Sequence, residues 1–374
     1  MKKITWRVSV LFCFFLSLVL ARASTSNEGF AKELEVDKLL KKLNKPAVKS
    51  IQSPDGDVIN CVHILNQPVF DNPKLKNHKI QMRPTFHPKR SNFSSNPIAQ
   101  MWHQSGSCPE GTVPIRRTTK DDILKADSFE QFSVRRSLYS TNDHEYAPVN
   151  VSGDRYYGAK ASINIWKPRV QQSNEFSLSQ IWIMNQAVPN YVESIEAGWQ
   201  RDSYRTLCYN LDCQPGFVQV DNSIVMRSSL QPSVYGGSQN VLSILIRKDP
   251  KTGNWWMQVG NTSVGYWPAS LFNRINTAGA THVGWGGEIV NLRSNGQHTT
   301  TGMGSGYFPQ EGYGKASFFK ELSIVDANNN LVSPKYLNTY VSNPYCYTVS
   351  PYRSSNDWGV YFFYGGPGRN QYCR

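Results

Sequence analysis

The sequence predicts an all-β protein: an antiparallel β-sandwich preceded by a small, mainly β amino-terminal unit with one short helix. Three observations carry this prediction. Beyond Glu145 the chain breaks into short runs of alternating or β-branched residues separated by Gly, Pro and Asn. Two connections, Asp249-Pro250-Lys251-Thr252-Gly253 and Asn328-Asn329-Asn330, have hairpin chemistry, because Pro presets φ while Gly and Asn accept positive φ. Helical periodicity is confined to one stretch near the start and a short hint around Leu271, Phe272 and Ile275.

In chain order, Lys2, Lys3 and Arg7 precede an apolar run from Val8 to Leu20 and then Ala21-Arg22-Ala23. These are the charged, apolar and small-residue parts of a secretory signal, assigned to 1–23. The run is short for a bilayer span, so a secreted, soluble chain with no membrane partner is expected. Between Lys32 and Leu43, Val36, Leu39, Leu40 and Leu43 share a helical face, and Pro46 ends the pattern. Residues 53–117 alternate weakly around an Asp55-Gly56 turn, and Thr118 to Asn142 reads as a polar, exposed linker open to proteolytic nicking. The amino-terminal unit with its linker is therefore 24–137. The sandwich domain is 138–374, long enough to bury one core and without internal repeats. Its predicted strands are Ala161 to Trp166, Ser177 to Ile183, Ser194 to Gln200, Phe217 to Val220, Val241 to Arg247, Trp255 to Val259, Val264 to Trp267, Gly287 to Asn291 and Ser317 to Val325.

Of seven cysteines, Cys13 falls in the signal and six remain, an even set suited to an oxidising compartment. The close pair Cys208 and Cys213 predicts a local disulfide, leaving an early couple, Cys61 with Cys108, and a late one, Cys346 with Cys373. A zinc site would need CxxC and His spacings that are missing, so no metal or cofactor is expected. Sequons at Asn92, Asn150 and Asn261 fit a glycosylated, exported chain. Removing Lys2, Lys3, Arg7 and Arg22 with the signal takes the formal charge from +13 to +9. The remaining basic residues are dispersed, without the basic and aromatic clustering of a nucleic-acid surface.

Beyond the linker the only histidines are His144, His282 and His298. His144-Glu145 has no second His at metalloprotease spacing, and there is no GxSxG elbow, no Asp-Ser/Thr-Gly and no phosphate-cradling Gly-rich loop. Carboxylates remain. An arbitrary strand Glu is ordinarily a solvated surface residue. Glu196 and Glu288 differ in context: Ser194-Ile195-Glu196-Ala197-Gly198-Trp199-Gln200 and Val283-Gly284-Trp285-Gly286-Gly287-Glu288-Ile289 each place one carboxylate among Gly and Trp in a strand-like segment. Glycine admits close approach of another group, and a nearby indole lowers the local dielectric. Alternation puts Glu196, Gly198 and Gln200 on one face, opposite Ile195, Ala197 and Trp199. Gln180 and Trp182 share a face of a neighbouring predicted strand. The groove candidates are Gln180, Trp182, Trp199, Trp285 and Tyr235, whereas Glu193, Glu311 and Glu321 have loop or hairpin contexts that favour solvation.

A further set of motifs runs through the chain in order: Phe176-Ser177-Leu178-Ser179-Gln180-Ile181-Trp182, Cys208-Tyr209-Asn210-Leu211, Gly216-Phe217-Val218-Gln219, Leu230-Gln231-Pro232-Ser233-Val234-Tyr235-Gly236-Gly237, Gly253-Asn254-Trp255-Trp256, Val264-Gly265-Tyr266-Trp267-Pro268, Trp285-Gly286-Gly287-Glu288 and Met303-Gly304-Ser305-Gly306. With them the chain closely resembles the plant neprosin family. The early segments Asp55-Gly56-Asp57-Val58-Ile59-Asn60-Cys61 and Gly111-Thr112-Val113-Pro114-Ile115-Arg116 resemble that family's activation peptide. The resemblance implies a secreted zymogen of the extracellular space, the apoplast or a vacuole, whose β-sandwich domain is a monomeric glutamic peptidase. Its substrates would be proline-containing peptides or proteins cut after proline in acid, with the chain's own pro-domain as intramolecular inhibitor. The family's catalytic glutamates fall on Glu196 and Glu288. In such a pair the ionised carboxylate activates water, and the protonated one polarises the scissile carbonyl and then protonates the leaving nitrogen. The sequence leaves open which is which. A glycoside hydrolase also uses two carboxylates, but the motifs weigh against it.

The chain departs from the family between Gln200 and Cys208, where only Arg201 to Leu207 stand in place of a longer connection with an aromatic-rich strand. This shortening supports an alternative reading, a catalytically inactive neprosin-like binding protein.

Overall fold

The computed structural model describes residues 33–87, 100–125, 143–188, 191–202 and 216–374. The signal, Asn92 and the pair Cys208 and Cys213 lie outside the described residues.

Helix α1 (33–43) forms where its apolar stripe predicts it. Val36 and Leu43 pack on Ile123 of α2 (Lys120–Lys125), with Leu39 and Leu40 at the margin. The expected exposed linker therefore begins with a docked helical turn, because Ile123 completes an apolar cluster that α1 could not close alone. Strands β1 (Ala47–Gln52), β2 (Val58–His63) and β3 (Thr112–Arg116) make an antiparallel sheet, braced by the Cys61–Cys108 disulfide. Its cluster of Ile51, Ile59, Trp102 and the disulfide extends to Val225 in the sandwich domain.

Two sheets form the sandwich. Strands β4 (His144–Tyr156), β5 (Gly158–Asn164), β6 (Phe176–Val188), β7 (Tyr191–Asp202), β8 (Val218–Gln219), β9 (Val241–Lys248), β10 (Trp255–Val259) and β11 (Thr262–Trp267) are followed by helix α3 (Arg274–Ala278) and β12 (Ala280–Val290). Then come β13 (Ser317–Val325), β14 (Leu331–Val332), β15 (Asn338–Thr339), β16 (Thr348–Val349), β17 (Arg353–Ser355) and β18 (Gly359–Gly365). Among the described residues one sheet has the order β15-β4-β12-β6-β7. The larger runs β16-β18-β13-β5-β9-β10-β11-β8, with β14 on β13 and β17 on β18. All paired strands are antiparallel. The core between the two sheets is filled by Trp285, Trp255, Phe319, Phe362 and Tyr364 with branched aliphatics around them. The Cys346–Cys373 disulfide closes the carboxyl-terminal loops against it.

Segment 64–87 crosses the outer face of the larger sheet in three short 3-10 turns. Val69 and Leu75 cover Val218, Trp256 and Tyr266. Asp249 then accepts the Thr85 N–H and hydroxyl, both at 2.6 Å, and Arg247 donates to the Phe86 carbonyl at 2.8 Å. The amino-terminal unit is thus docked on the side of the sandwich facing away from the smaller sheet.

Candidate active site

Strand alternation gives the smaller sheet an inner face of Val149, Trp285, Ile181, Ile183, Ile195 and Trp199, all in the core, and an outer face built in rows. Backbone register aligns Tyr146, Glu288, Leu178 and Gln200 in one row, then Pro148, Gly286, Gln180 and Gly198, then Asn150, Gly284, Trp182 and Glu196. Both predicted glutamates therefore stand on the same outer face. They are offset by two strand spacings, about 10 Å, across the sheet and by four residues, roughly 13 Å, along it. A peptide segment fits between them.

The floor between the carboxylates is kept low by glycine. A Cβ on Gly198 would lie 2.0 Å from the Ser179 carbonyl, and one on Gly286 would lie 2.5 Å from the Pro148 Cα. Only a residue without a side chain fits either place. Gln180, between these two glycines, reaches along the groove and donates from Nε2 to Glu196 Oε2 at 2.9 Å. Phe176, Leu178, Trp182 and Val290 form a separate apolar cluster on this face, joined by Tyr146, Met184 and Leu292.

The two glutamates have different surroundings. Glu196 is exposed, whereas Glu288 retains 7% of its accessible surface. The Glu288 Oε1 lies 2.5 Å from His144 Nδ1, and the Tyr146 hydroxyl also bonds this carboxylate. Burial first, then the charge of Glu288 and the bond to it, then the charge of Glu196, push the Tyr146 phenol well above its ordinary value. It therefore stays protonated and donates. His144 and Tyr146 are absent from the sequence-derived site. The signal for them is the register, which sets β4 beside β12; in the sequence His144 stands out only as one of three histidines in the sandwich domain.

Gln180 and Trp182 lie where the sequence places them. Trp199 and Trp285 do not: both indoles point into the core, Trp285 fully buried, and donate to the Asn164 and Lys160 carbonyls at 2.9 and 3.2 Å. Their parity in β7 and β12 is opposite to that of the glutamates. Tyr235 sits off this sheet in a loop, its ring tilted against that of Tyr307 at a centroid distance of 4.5 Å and its hydroxyl donating to Glu311 at 3.1 Å. Glu193 is not simply solvated, since it accepts the N–H groups of Asn273 and Ile275 at the start of α3. Asn150 is half-buried mid-strand on the groove face, unlike the exposed loop a glycan acceptor takes, whereas Asn261 is exposed at the β10–β11 turn.

A second polar group lies inside the sandwich. Glu145 pairs with His298 at 3.1 Å, and Glu175 accepts from the Thr301 hydroxyl and the Leu292 N–H. His298 also lies close to the sulfurs of Cys346 and Cys373, but these are bonded to each other. Burial, with the charges of Glu145 and Glu175, raises the neighbouring Tyr347 phenol far above its ordinary value.

These features define a class: an antiparallel β-sandwich with two glutamates on one open sheet face and an amino-terminal unit docked behind. Residues 199–367 match Neprosin, and residues 50–161 match the Neprosin activation peptide. The chain belongs to the neprosin family, and a neprosin domain joined to an activation peptide is the arrangement of a protease zymogen family. Glu288 lies inside the first matched range, and Glu196 just ahead of it. The second range runs through β4 into β5, so it includes strands of both sandwich sheets.

Proposed function

We propose that this chain is a secreted zymogen of a glutamic endopeptidase that cleaves after proline in acid, with Glu196 and Glu288 as its catalytic pair. The observation that carries the proposal is their placement on one outer sheet face, separated by a glycine-floored strip across Gln180. An extended substrate lies over this strip with its scissile peptide between the carboxylates. One carboxylate takes a proton from water as the oxygen attacks the carbonyl carbon; the other delivers a proton to the nitrogen as the C–N bond breaks. The aromatic side chains of Tyr146, Phe176 and Trp182 beside this strip suit a proline ring, which buries apolar surface without offering an N–H. The amino-terminal unit reaches the edge of the same sheet, where Lys74 lines a cavity of about 580 Å³ with Val192, Ser194, Leu271 and Phe272, close to Glu196.

The test is mass spectrometry of a proline-rich peptide incubated in acid with the processed protein, with Glu196→Gln and with Glu288→Gln. Cuts after proline that vanish in both variants are expected. One observation supports a second reading, binding without catalysis: β7, which carries Glu196, is the edge strand of its sheet among the described residues, beside the shortened connection. Folded, processed protein that binds the peptide but leaves it intact would establish that reading instead.

A further inference from the structure

Two of the sequence motifs, Leu230 to Gly237 and Met303 to Gly306, are not used by the groove; they lie in the connections that lead into β9 and β13 and bring two phenols together there. We propose that Tyr235 and Tyr307 form a built-in site of oxidative cross-linking, joined ring to ring as a dityrosine by a peroxidase-type one-electron oxidant that consumes hydrogen peroxide. The site is separate from Glu196 and Glu288, and the proposal does not depend on the peptidase reading.

The two rings lie 4.5 Å apart between centroids, tilted by 45°. At that separation and tilt their nearest carbons are in van der Waals contact, within about 4 Å. Tyr235 keeps 44% of its accessible surface and Tyr307 43%, so an oxidant reaches either ring. Among the described residues they are the one pair of tyrosine rings in contact. Tyr313 is more open, at 63%, but its ring meets Trp358 and Phe318, neither of which is a phenol. Tyr336, at 87%, has no ring against it among the described residues.

Backbone bonds set the rings before any oxidation. The Val234 N–H donates to the Ser238 carbonyl across the turn that carries Tyr235, and the Gly236 N–H donates to the Gly314 carbonyl at 2.8 Å, tying this loop to the one before β13. The Gly306 N–H donates to the Met303 carbonyl, and the Met303 N–H to that of Gly366, fixing the turn ahead of Tyr307. Two reactants ordered in advance couple in an effectively unimolecular step. A phenol that loses an electron sheds its proton, and the Tyr235 hydroxyl already donates to Glu311 Oε2 at 3.1 Å. Glu311, itself 3.7 Å from Lys315 Nζ, is therefore a proton acceptor in place.

In the reaction each ring gives up one electron and its phenolic proton, and the two radicals join through ring carbons next to the oxygens. The joined carbons then release their hydrogens as protons while each oxygen regains one, which restores both aromatic rings. The net loss of two electrons and two protons reduces one hydrogen peroxide to two waters. The new bond ties the β8–β9 connection to the β12–β13 connection, a covalent staple in a chain whose disulfides already suit an oxidising setting.

The test treats the full chain with a haem peroxidase and hydrogen peroxide, isolates the monomer by size exclusion and maps its tryptic peptides by mass spectrometry. A species joining residues 228–247 to 294–315, lighter than their sum by the two lost hydrogens, is expected, with fragment ions placing the bond at Tyr307 and not at Tyr313. Its yield per chain should not change on about tenfold dilution. Tyr235→Phe and Tyr307→Phe should each abolish it, whereas Tyr313→Phe should keep it. The linked monomer should melt roughly 5 °C higher, and unchanged melting would overturn its role as a staple. Oxidation of Tyr336 in the same digest reports that the oxidant acted. Oxidised Tyr336 with Tyr235 and Tyr307 unjoined, a bond to Tyr313, or dityrosine confined to oligomers would each overturn the proposal.

Discussion

The contact between Asp249 and segment 81–87 sets how tightly the amino-terminal unit is held, and its acid sensitivity can be worked out. Asp249 retains 2% exposure. Burial alone would raise its pKa, but the Thr85 N–H and hydroxyl, then Gln81 and the Lys251 N–H, overcome burial and bring it from 3.8 to about 2. A carboxylate lowered in the docked state stabilises docking above its ordinary value, and that stabilisation is lost as pH falls from about 4 toward 2. At about 1.4 kcal/mol per unit, the full shift corresponds to about 2.5 kcal/mol, of which roughly 2 kcal/mol, or about thirtyfold in the docked to undocked ratio, is lost by pH 2. This is an upper figure, because the Lys251 N–H belongs to the Asp249 hairpin and stays after undocking. The perturbation is Asp249→Asn, which keeps the shape and removes the charge. The assay is hydrogen exchange of segment 81–87 between pH 5 and pH 2, corrected for intrinsic rates. Wild type should lose up to thirtyfold protection over that interval, whereas Asp249→Asn should begin less protected at pH 5 and change little. Equal pH dependence in the two proteins would refute the reasoning.

A second acid window follows from histidine. His78 is lowered by burial, and His87 by burial and then by Arg247. The Gln81 N–H donates to the Tyr266 oxygen, so Tyr266 gives its proton to His78 Nε2, while Arg247 donates to His87 Nδ1. Both rings are held neutral, and docking weakens as pH falls below the ordinary histidine value of about 6.5. His78→Gln should flatten exchange of residues 75–81 between pH 7 and pH 5, whereas exposed His87→Gln should change it less. Gly198→Ala should cost about 2 kcal/mol or more, because the new methyl meets the β6 backbone, and thermal melting should show a lowered Tm. His298→Gln, which takes the imidazole from buried Glu145 and leaves it the Asn291 amide, should cost about 3 kcal/mol, read by urea unfolding.

Strand positions were legible because alternation and turn chemistry are local. Strand β4 was not, since Pro148, Asn150, Gly153 and Asp154 break its pattern and only pairing with β12 makes it a strand. The short β15 and β16 likewise exist as partners of longer strands. The glutamates were found through their Gly and Trp neighbours, but the indoles act differently from that expectation: Trp199 and Trp285 anchor β7 and β12 to the core from the opposite face. Their hold fixes the strands so that the alternate residues, Glu196 and Glu288, face outward. Composition near a carboxylate therefore located the site without describing its environment. That environment is nonlocal. His144 precedes Glu288 by 144 residues and meets it because antiparallel register sets Tyr146 opposite Glu288, bringing the end of β4 alongside. A one-residue slip of that register would turn His144 and Tyr146 inward and Glu145 outward, exchanging the imidazole pair of the groove for that of the core. The same pairing thus decides which glutamate faces the groove with a basic partner and which is buried with one.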